Sequence, residues 1–389
     1  MQGHTIGPLK KKANLSRIFS QIAERKAEVI GMSQEIIAEV QRMTLYQINQ
    51  LSNLKKKFND LSANLDQLEK ELHASNPKKQ FEEIYELVQE LRLDMDLIVA
   101  SGSADKDIRV WKDGETKVLK GHTSEVRSVA LSKNREFMVS CGLDKTIRVW
   151  LLSTGEQIGV LQGHTNWVWS LAISKNDQFV VSAGMDKTIR VWDLASGTQT
   201  QLFKGHTGSI ESVVISNKDE FLVSAGMDKT IRVWDLASGA QTEVLTGHKD
   251  WVRSVAISKK DEFLVSGSRD KTIRVWSLTS RIQLLVLEGH TNTVWSVAIS
   301  RNDEFLVSGS EDNTIRVWSL ASGHQTQILE GHTGGILSLH LSKNDNYLVS
   351  GGGAGAKLDH SVRLWNLATG EQTRLLEGHT NRVWSVYLA

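Results

Sequence analysis

Cysteine occurs once in these 389 residues, as Cys141, which excludes a disulfide within the chain and a cysteine-based zinc site. Such a chain suits a reducing compartment. Proline occurs only as Pro8 and Pro77, so no ring breaks a strand or helix after residue 77. Excess charge is lacking too: 46 Lys+Arg stand against 45 Asp+Glu, giving no bulk attraction to nucleic acid or an anionic membrane. No apolar run approaches the roughly 18 residues of a spanning helix, and the N-terminus has no apolar signal core. These absences set the expectation of a soluble, cytoplasmic protein with no nucleic-acid and no membrane partner.

Motifs that carry chemistry are equally scarce. No phosphate-binding glycine loop, His-Glu-x-x-His zinc motif or calcium loop appears, so neither cofactor nor metal is expected. The one glycine-rich stretch, Gly351–Ala356, has no following helix to support a phosphate and reads as a loop tip.

What is present is repetition. Gly-His recurs at Gly121-His122, Gly163-His164, Gly205-His206, Gly247-His248, Gly289-His290, Gly331-His332 and Gly378-His379; five intervals are 42 residues and the last is 47. A second string, Asp-x-x-(Ile/Val)-Arg-(Val/Leu)-Trp, keeps the same rhythm and ends at Trp111, Trp150, Trp192, Trp234, Trp276, Trp318 and Trp365. Each period holds short β-rich runs, such as Val168–Ser174, Phe179–Ser182, Thr188–Leu194 and Thr198–Phe203, parted by turn clusters. With its Gly-His and Trp-Asp signature at this period, the region 97–389 resembles the WD40-repeat family. The resemblance implies an all-β, seven-bladed β-propeller of four-stranded blades.

Counting strands suggests how the ring closes. Three strands open the region, around Leu97–Ser101, Ile108–Lys112 and Lys117–Leu119, and one follows the last full unit, at 382–388. The split blade is therefore expected to form by pairing the strand 382–388 with the strand 97–101, leaving no open edge.

Every period also carries His, Ser six residues later, Asp and Trp, a composition that invites comparison with a hydrolase triad. Seven copies do not make sense as seven active sites. The family resemblance implies instead a buried Asp–His–Ser–Trp hydrogen-bond chain in each blade. The expected sets are His122, Ser128, Asp144, Trp150; His164, Ser170, Asp186, Trp192; His206, Ser212, Asp228, Trp234; and His248, Ser254, Asp270, Trp276. Next come His290, Ser296, Asp312, Trp318; His332, Ser338, Asp359, Trp365; and, across the closure, His379 and Ser385 with Asp105 and Trp111. No catalytic residue is expected, and the protein is read as a non-enzyme.

Before the repeats, residues 1–12 form a tail. Leu51, Leu54, Phe58, Leu61, Leu65, Leu68 and Leu72 follow 3,4 spacing, and Leu15, Ile18, Ile22, Val29, Met32 and Ile36 form an earlier run. This pattern predicts a long α-helical coiled coil over 13–74, joining copies into a homo-oligomer, with a linker and short helix over 75–96. The arrangement resembles tripartite-motif proteins.

The remaining tryptophans point to a binding face. Seven of the twelve belong to the structural sets. The other five, Trp167, Trp169, Trp251, Trp295 and Trp384, all stand three or five residues after a Gly-His histidine. The same positions hold Arg127, Arg253 and Arg382, and the residue before the structural Asp is Met185, Met227 or Arg269 in three blades. In the family these positions converge at one mouth of the central channel, so they are the expected partner-binding residues. The leading expectation is an adaptor that binds a protein or peptide there. A cytoskeletal or ciliary structural part, and the substrate-recognition part of a ubiquitin ligase, are the alternatives.

Overall fold

The computed structural model describes residues 97–112, 114–354 and 359–389. Each period folds as one antiparallel sheet. In blade one the hydrogen-bonded order is β4 (Val126–Leu131), β5 (Phe137–Gly142), β6 (Thr146–Leu151) and β7 (Gln157–Gln162). First strands touch the first strands of neighbouring blades, so β4 and its equivalents line the axis.

Burial along each strand follows from that placement. The second strand, β5, is buried from Met138 to Gly142, and its run of small and apolar residues suits a strand covered on both faces. The third alternates, with Ile147 and Val149 buried. On the outermost, β7, only Leu161 is buried. The apolar core is accordingly split into clusters between blades. In one, Val181, Ala183, Ile189, Val191 and Phe203 of blade two meet Ile210, Val213, Leu222 and Trp234 of blade three. No blade buries its faces alone, so each depends on its neighbours.

Seven four-stranded sheets occur among the described residues. The seventh joins β28 (Val383–Leu388) to β1 (Val99–Ser103), followed by β2 (Ile108–Lys112) and β3 (Glu115–Leu119). Val99 lies opposite Leu388 and Gly102 opposite Ser385, and Ile98 and Ala389 exchange backbone hydrogen bonds at 3.1 and 2.9 Å.

The expected fold class needs correction. The described residues contain strands and no helix, so the architecture they show is the all-β propeller alone. The coil over 13–74, with the seam residues Leu51, Leu54, Phe58, Leu61, Leu65, Leu68 and Leu72 and the short helix over 75–96, lies outside the described residues.

A β-bulge interrupts every innermost strand. In β4 the register jumps between Val126, opposite Gly142, and Ser128, opposite Cys141, leaving Arg127 as the extra residue. The same jump leaves out Trp169, Glu211, Arg253, Trp295, Leu337 and, in the closing blade, Trp384. A bulge bends its strand and re-aims one side chain. Here it does so seven times at one level of the channel.

Candidate functional site

The Asp–His–Ser–Trp chains are present with a different serine from the expected one. In blade three His206 Nδ1 lies 2.8 Å from Asp228 Oδ2, His206 Nε2 lies 2.8 Å from Ser224 Oγ, and the Trp234 indole N–H donates to that oxygen at 2.8 Å. The carboxylate only accepts, so Nδ1 carries the proton and Nε2 accepts from the serine hydroxyl. Ser140, Ser182, Ser266, Ser308 and Ser350 take the same place. Ser101 does so across the closure, 2.7 Å from His379, which also meets Asp105 at 2.7 Å. The hydroxyls are buried, and in six blades each is engaged by both the His and the Trp, a structural arrangement with no face toward a substrate. In the closing blade Trp111 instead meets the His379 ring edge-on, with centroids 6.0 Å apart.

Ser128, Ser170, Ser212, Ser254, Ser296, Ser338 and Ser385, expected in those chains, sit on the innermost strands instead. Six of them accept a backbone N–H from the next blade, as Ser170 does from Val213 at 3.0 Å. Ser338 takes Val386 and Ser385 takes Val129, so the closing strand is tied on both flanks.

Burial alone would raise the tetrad carboxyls. The bond to His164 and its charge, with the Thr188 hydroxyl and Thr165 amide, outweigh it and bring Asp186 down to about 2. Asp105, paired with His379, likewise falls to about 2.

Five of the seven bulge residues, with Trp251 and Arg269, form one stacked layer. The Arg127 guanidinium lies 3.5 Å from the Trp384 ring centroid and 5.0 Å from Trp169. Arg253 sits between Trp295 at 4.1 Å and Trp251 at 4.9 Å, and Arg269 covers Trp251 at 4.6 Å. Trp295 and Trp384 are 6.2 Å apart, which joins the two stacks. Each desolvated cation–ring contact contributes on the order of 1–2 kcal/mol. Arg382 stands 5.9 Å from Trp384 at the exposed rim.

Two acids missing from the sequence reading complete the layer. Glu211 accepts Arg253 Nη1 at 2.8 Å, and Glu125 accepts the Trp384 indole N–H at 2.8 Å. Burial pushes the Glu211 carboxyl up to about 7 against the pull of Arg253 and Arg127. Burial also brings Arg127 down to about 10, opposed by Glu211 and Glu125. Both acids stand at the positions that hold Trp and Arg elsewhere, so the same spacing would have found them had acids been sought.

Outside the stacks, Trp167 and Met185 of blade two remain 40% and 37% exposed. They are linked by Met185 N–H donating to Trp167 O at 2.8 Å. Gly184 permits this approach, since a Cβ there would lie 2.0 Å from the same carbonyl oxygen. Met227 is half-buried and makes the equivalent bond to Ser209 O.

The opposite mouth is built differently. Asp177, Asp219, Asp261, Asp303 and Asp345 each accept the backbone N–H of the preceding blade's turn, from Lys133, Lys175, Asn217, Lys259 and Arg301. Those carboxylates are structural ties between turns. A cavity of about 350 Å³ lies away from the Trp layer, lined by Phe221, Glu243, Leu245 and Arg281 between blades three and four. The Trp mouth is filled by its own stacked side chains. Among the described residues no group of His, Cys, Asp and Glu is arranged to hold a metal ion.

Comparison with known proteins agrees with this architecture. The family model described as WD domain, G-beta repeat matches residues 114–150, 155–193, 197–235, 239–277, 281–319 and 323–366. Among curated proteins, the ribosome biogenesis protein BOP1 homolog of Drosophila willistoni is 34% identical over 68 residues, 18% of this chain and 9% of that protein. The proteins of the same name from Drosophila erecta and Drosophila melanogaster are 32% identical over 68 residues, with the same shares. This chain thus spans about 9% of the length of these relatives. The likeness to tripartite-motif proteins draws no support from these matches.

Proposed function

Because this chain belongs to the WD40-repeat family, we propose that it is a non-enzymatic protein-interaction scaffold that takes a partner segment across the mouth ringed by the bulge residues. The observation that carries the reading is the inequality of the blades at that mouth. Elsewhere the repeats are near-copies, as Asp186–Gly197 against Asp228–Gly239 shows. At the mouth they differ in the residue types that dominate interface energetics, Trp, Arg and Met. Trp167 and Met185 offer an exposed apolar anchor, while the other exposed large apolar side chains lie on or beside the outermost strands. Arg269 and Arg382 add exposed cations, so the partner segment combines an apolar anchor with acidic residues. A role in ribosome biogenesis belongs to the names of the Drosophila relatives, and a 68-residue match does not extend it to this chain.

Affinity capture on the immobilised full chain tests the assignment. Changing Trp167, Met185 and Arg269 together to Ala should weaken retention of partners by about tenfold or more. Changing Lys175, Lys259 and Lys343 at the opposite mouth should leave it intact. The reverse pattern would place the binding surface on the other face.

A further inference from the structure

At the mouth away from the tryptophans, the turns between first and second strands repeat around the channel. Their first position is a cation in five blades, Lys133, Lys175, Lys259, Arg301 and Lys343, and Asn217 in blade three. All five cations are exposed. The aspartates two residues further on do not neutralise them by contact, because their oxygens are turned onto the backbone N–H groups of the preceding turn. Arg301 Nη1 donates to Lys343 O at 3.3 Å. The ammonium groups of Lys133, Lys175, Lys259 and Lys343 have no acceptor among the described residues.

These cations crowd one another. Burial, then Lys259 and Lys133, push the Lys175 ammonium below its ordinary range, against the pull of Asp219 and Asp261. Lys175 is exposed to solvent and yet surrounded by protein, as a group inside a channel mouth is. Burial, then Arg135, Arg301 and Lys133, lower Lys343 against Asp177. Arg135 stands where the other five turns carry Asp, so the sector beside the closing blade gains a cation in place of an acid. Lys175 of blade two also acts on His340 of blade six, three steps away in a ring of seven, so its field spans the opening. Between the turns of blades five and six lies an open depression of about 500 Å³, lined by Arg301, Lys343, Phe305 and Asp345.

Like charges gathered without counter-ions attract an anion, and its shape follows from their placement. They approach the axis from five blades, so the anion must present negative groups on several sides at once. A lysine ammonium is a point charge with rotatable donors, which suits tetrahedral phosphate oxygens and lacks the planar fork that pairs arginine with carboxylate. Glu136, Glu220, Glu262 and Glu304 are exposed where these turns lead out to the second strands. They confine the positive field to the mouth and disfavour a long polyanion such as nucleic acid. We propose that this mouth binds a compact anion carrying several phosphate groups, held by Lys133, Lys175, Lys259, Arg301 and Lys343. The site is separate from the partner face and does not depend on it.

Titration calorimetry on the full chain at low salt tests this, with inositol hexakisphosphate as the probe. Benzene hexacarboxylate and a hexaglutamate peptide are the comparison anions. The phosphate probe should bind at a single site. Lys175→Ala or Lys259→Ala should weaken it about fivefold or more, and Lys133→Ala with Lys343→Ala about tenfold or more. Lys218→Ala and Lys260→Ala, which remove exposed cations one residue beyond the ring, should leave it unchanged. All these side chains are exposed, so the variants should melt with the unmodified protein when no anion is added. No heat at millimolar probe, or an equal loss from the Lys218 and Lys260 variants, would reduce the ring to unspecific charge. Equal binding of either carboxylate anion would overturn the choice of phosphate. Phosphatidylcholine vesicles with and without phosphatidylinositol bisphosphate separate the two sources of such phosphates. Vesicle binding lost in the Lys175 and Lys259 variants upholds the site with a lipid headgroup as ligand, and binding of the free anion alone upholds it with a soluble one.

Discussion

Ser128 and Ser140 belong to neighbouring strands, recur at the same period, and carry the same hydroxyl. Spacing alone therefore could not assign one to the His–Trp chain and the other to the blade interface. Register does. Trp150 lies opposite Met138, so Ser140, two residues along, is its diagonal neighbour on the same face, whereas Ser128 lies opposite Cys141 on the innermost strand. Their energetic weights differ for the same reason. Ser224→Ala strands both the His206 ring nitrogen and the Trp234 indole in a buried site, and should cost about 1–3 kcal/mol. Ser212→Ala removes one neutral bond to Val255 and should cost about 0.5–1.5 kcal/mol. Denaturant unfolding of the two variants measures both, and the opposite ranking would contradict the roles described above.

At the scale of single elements, the innermost strand explains what the sequence could and could not disclose. Its tryptophans and arginines were visible as blade-to-blade variation. Their convergence depends on a bulge, and a bulge leaves no residue-type signature when Arg, Trp, Glu and Leu all occupy it. Another such element is β28. Tyr387 stacks on His340 of β24 (Gly335–Leu341) with ring centroids 3.9 Å apart, and Leu388 N–H donates to His340 Nδ1 at 3.3 Å. Burial, with Lys175 and Lys343 adding repulsion, lowers the His340 imidazole to about 4. A histidine with a lowered folded value takes its proton first in the unfolded chain. Its contribution is therefore complete above pH ~6.5 and is lost as pH falls toward 4, by on the order of 3 kcal/mol. His248 and His332 are shifted in the same direction. The tetrad carboxylates act lower, losing their contribution only as pH falls from ~4 through about 2. Between pH 7 and 4 these histidines thus pull stability down while Glu211, raised to about 7, pulls it up. His340→Phe, which keeps an aromatic ring on Tyr387, should remove part of the downward component of the slope. An unchanged slope would remove His340 from the account.

For the whole molecule, ring closure joins sequence to architecture most directly. The strand count placed 382–388 beside 97–101, and the structure pairs Val99 with Leu388. It also ties β28 to both neighbouring blades through Ser338 and Ser385. Deleting residues 382–389 removes Trp384 from the stacked layer and opens an edge on β1. It should produce aggregation, or a melting temperature lower by about 10 °C or more, read by light scattering and calorimetry. A monomeric truncation with an unchanged transition would mean that the other six blades hold the ring by themselves.

Pairing β1 with the last strand also sets a timetable. Val99 leaves the ribosome 289 residues (388 minus 99) ahead of the residue it must face, an interval of roughly 15–60 s at about 5–20 residues per second. Throughout that interval the earlier blades can stack behind β2 and β3, while the inner edge of β1 waits unpaired on a nascent chain. The protein's most exposed moment therefore falls during its own synthesis, and a slower-translated message lengthens it.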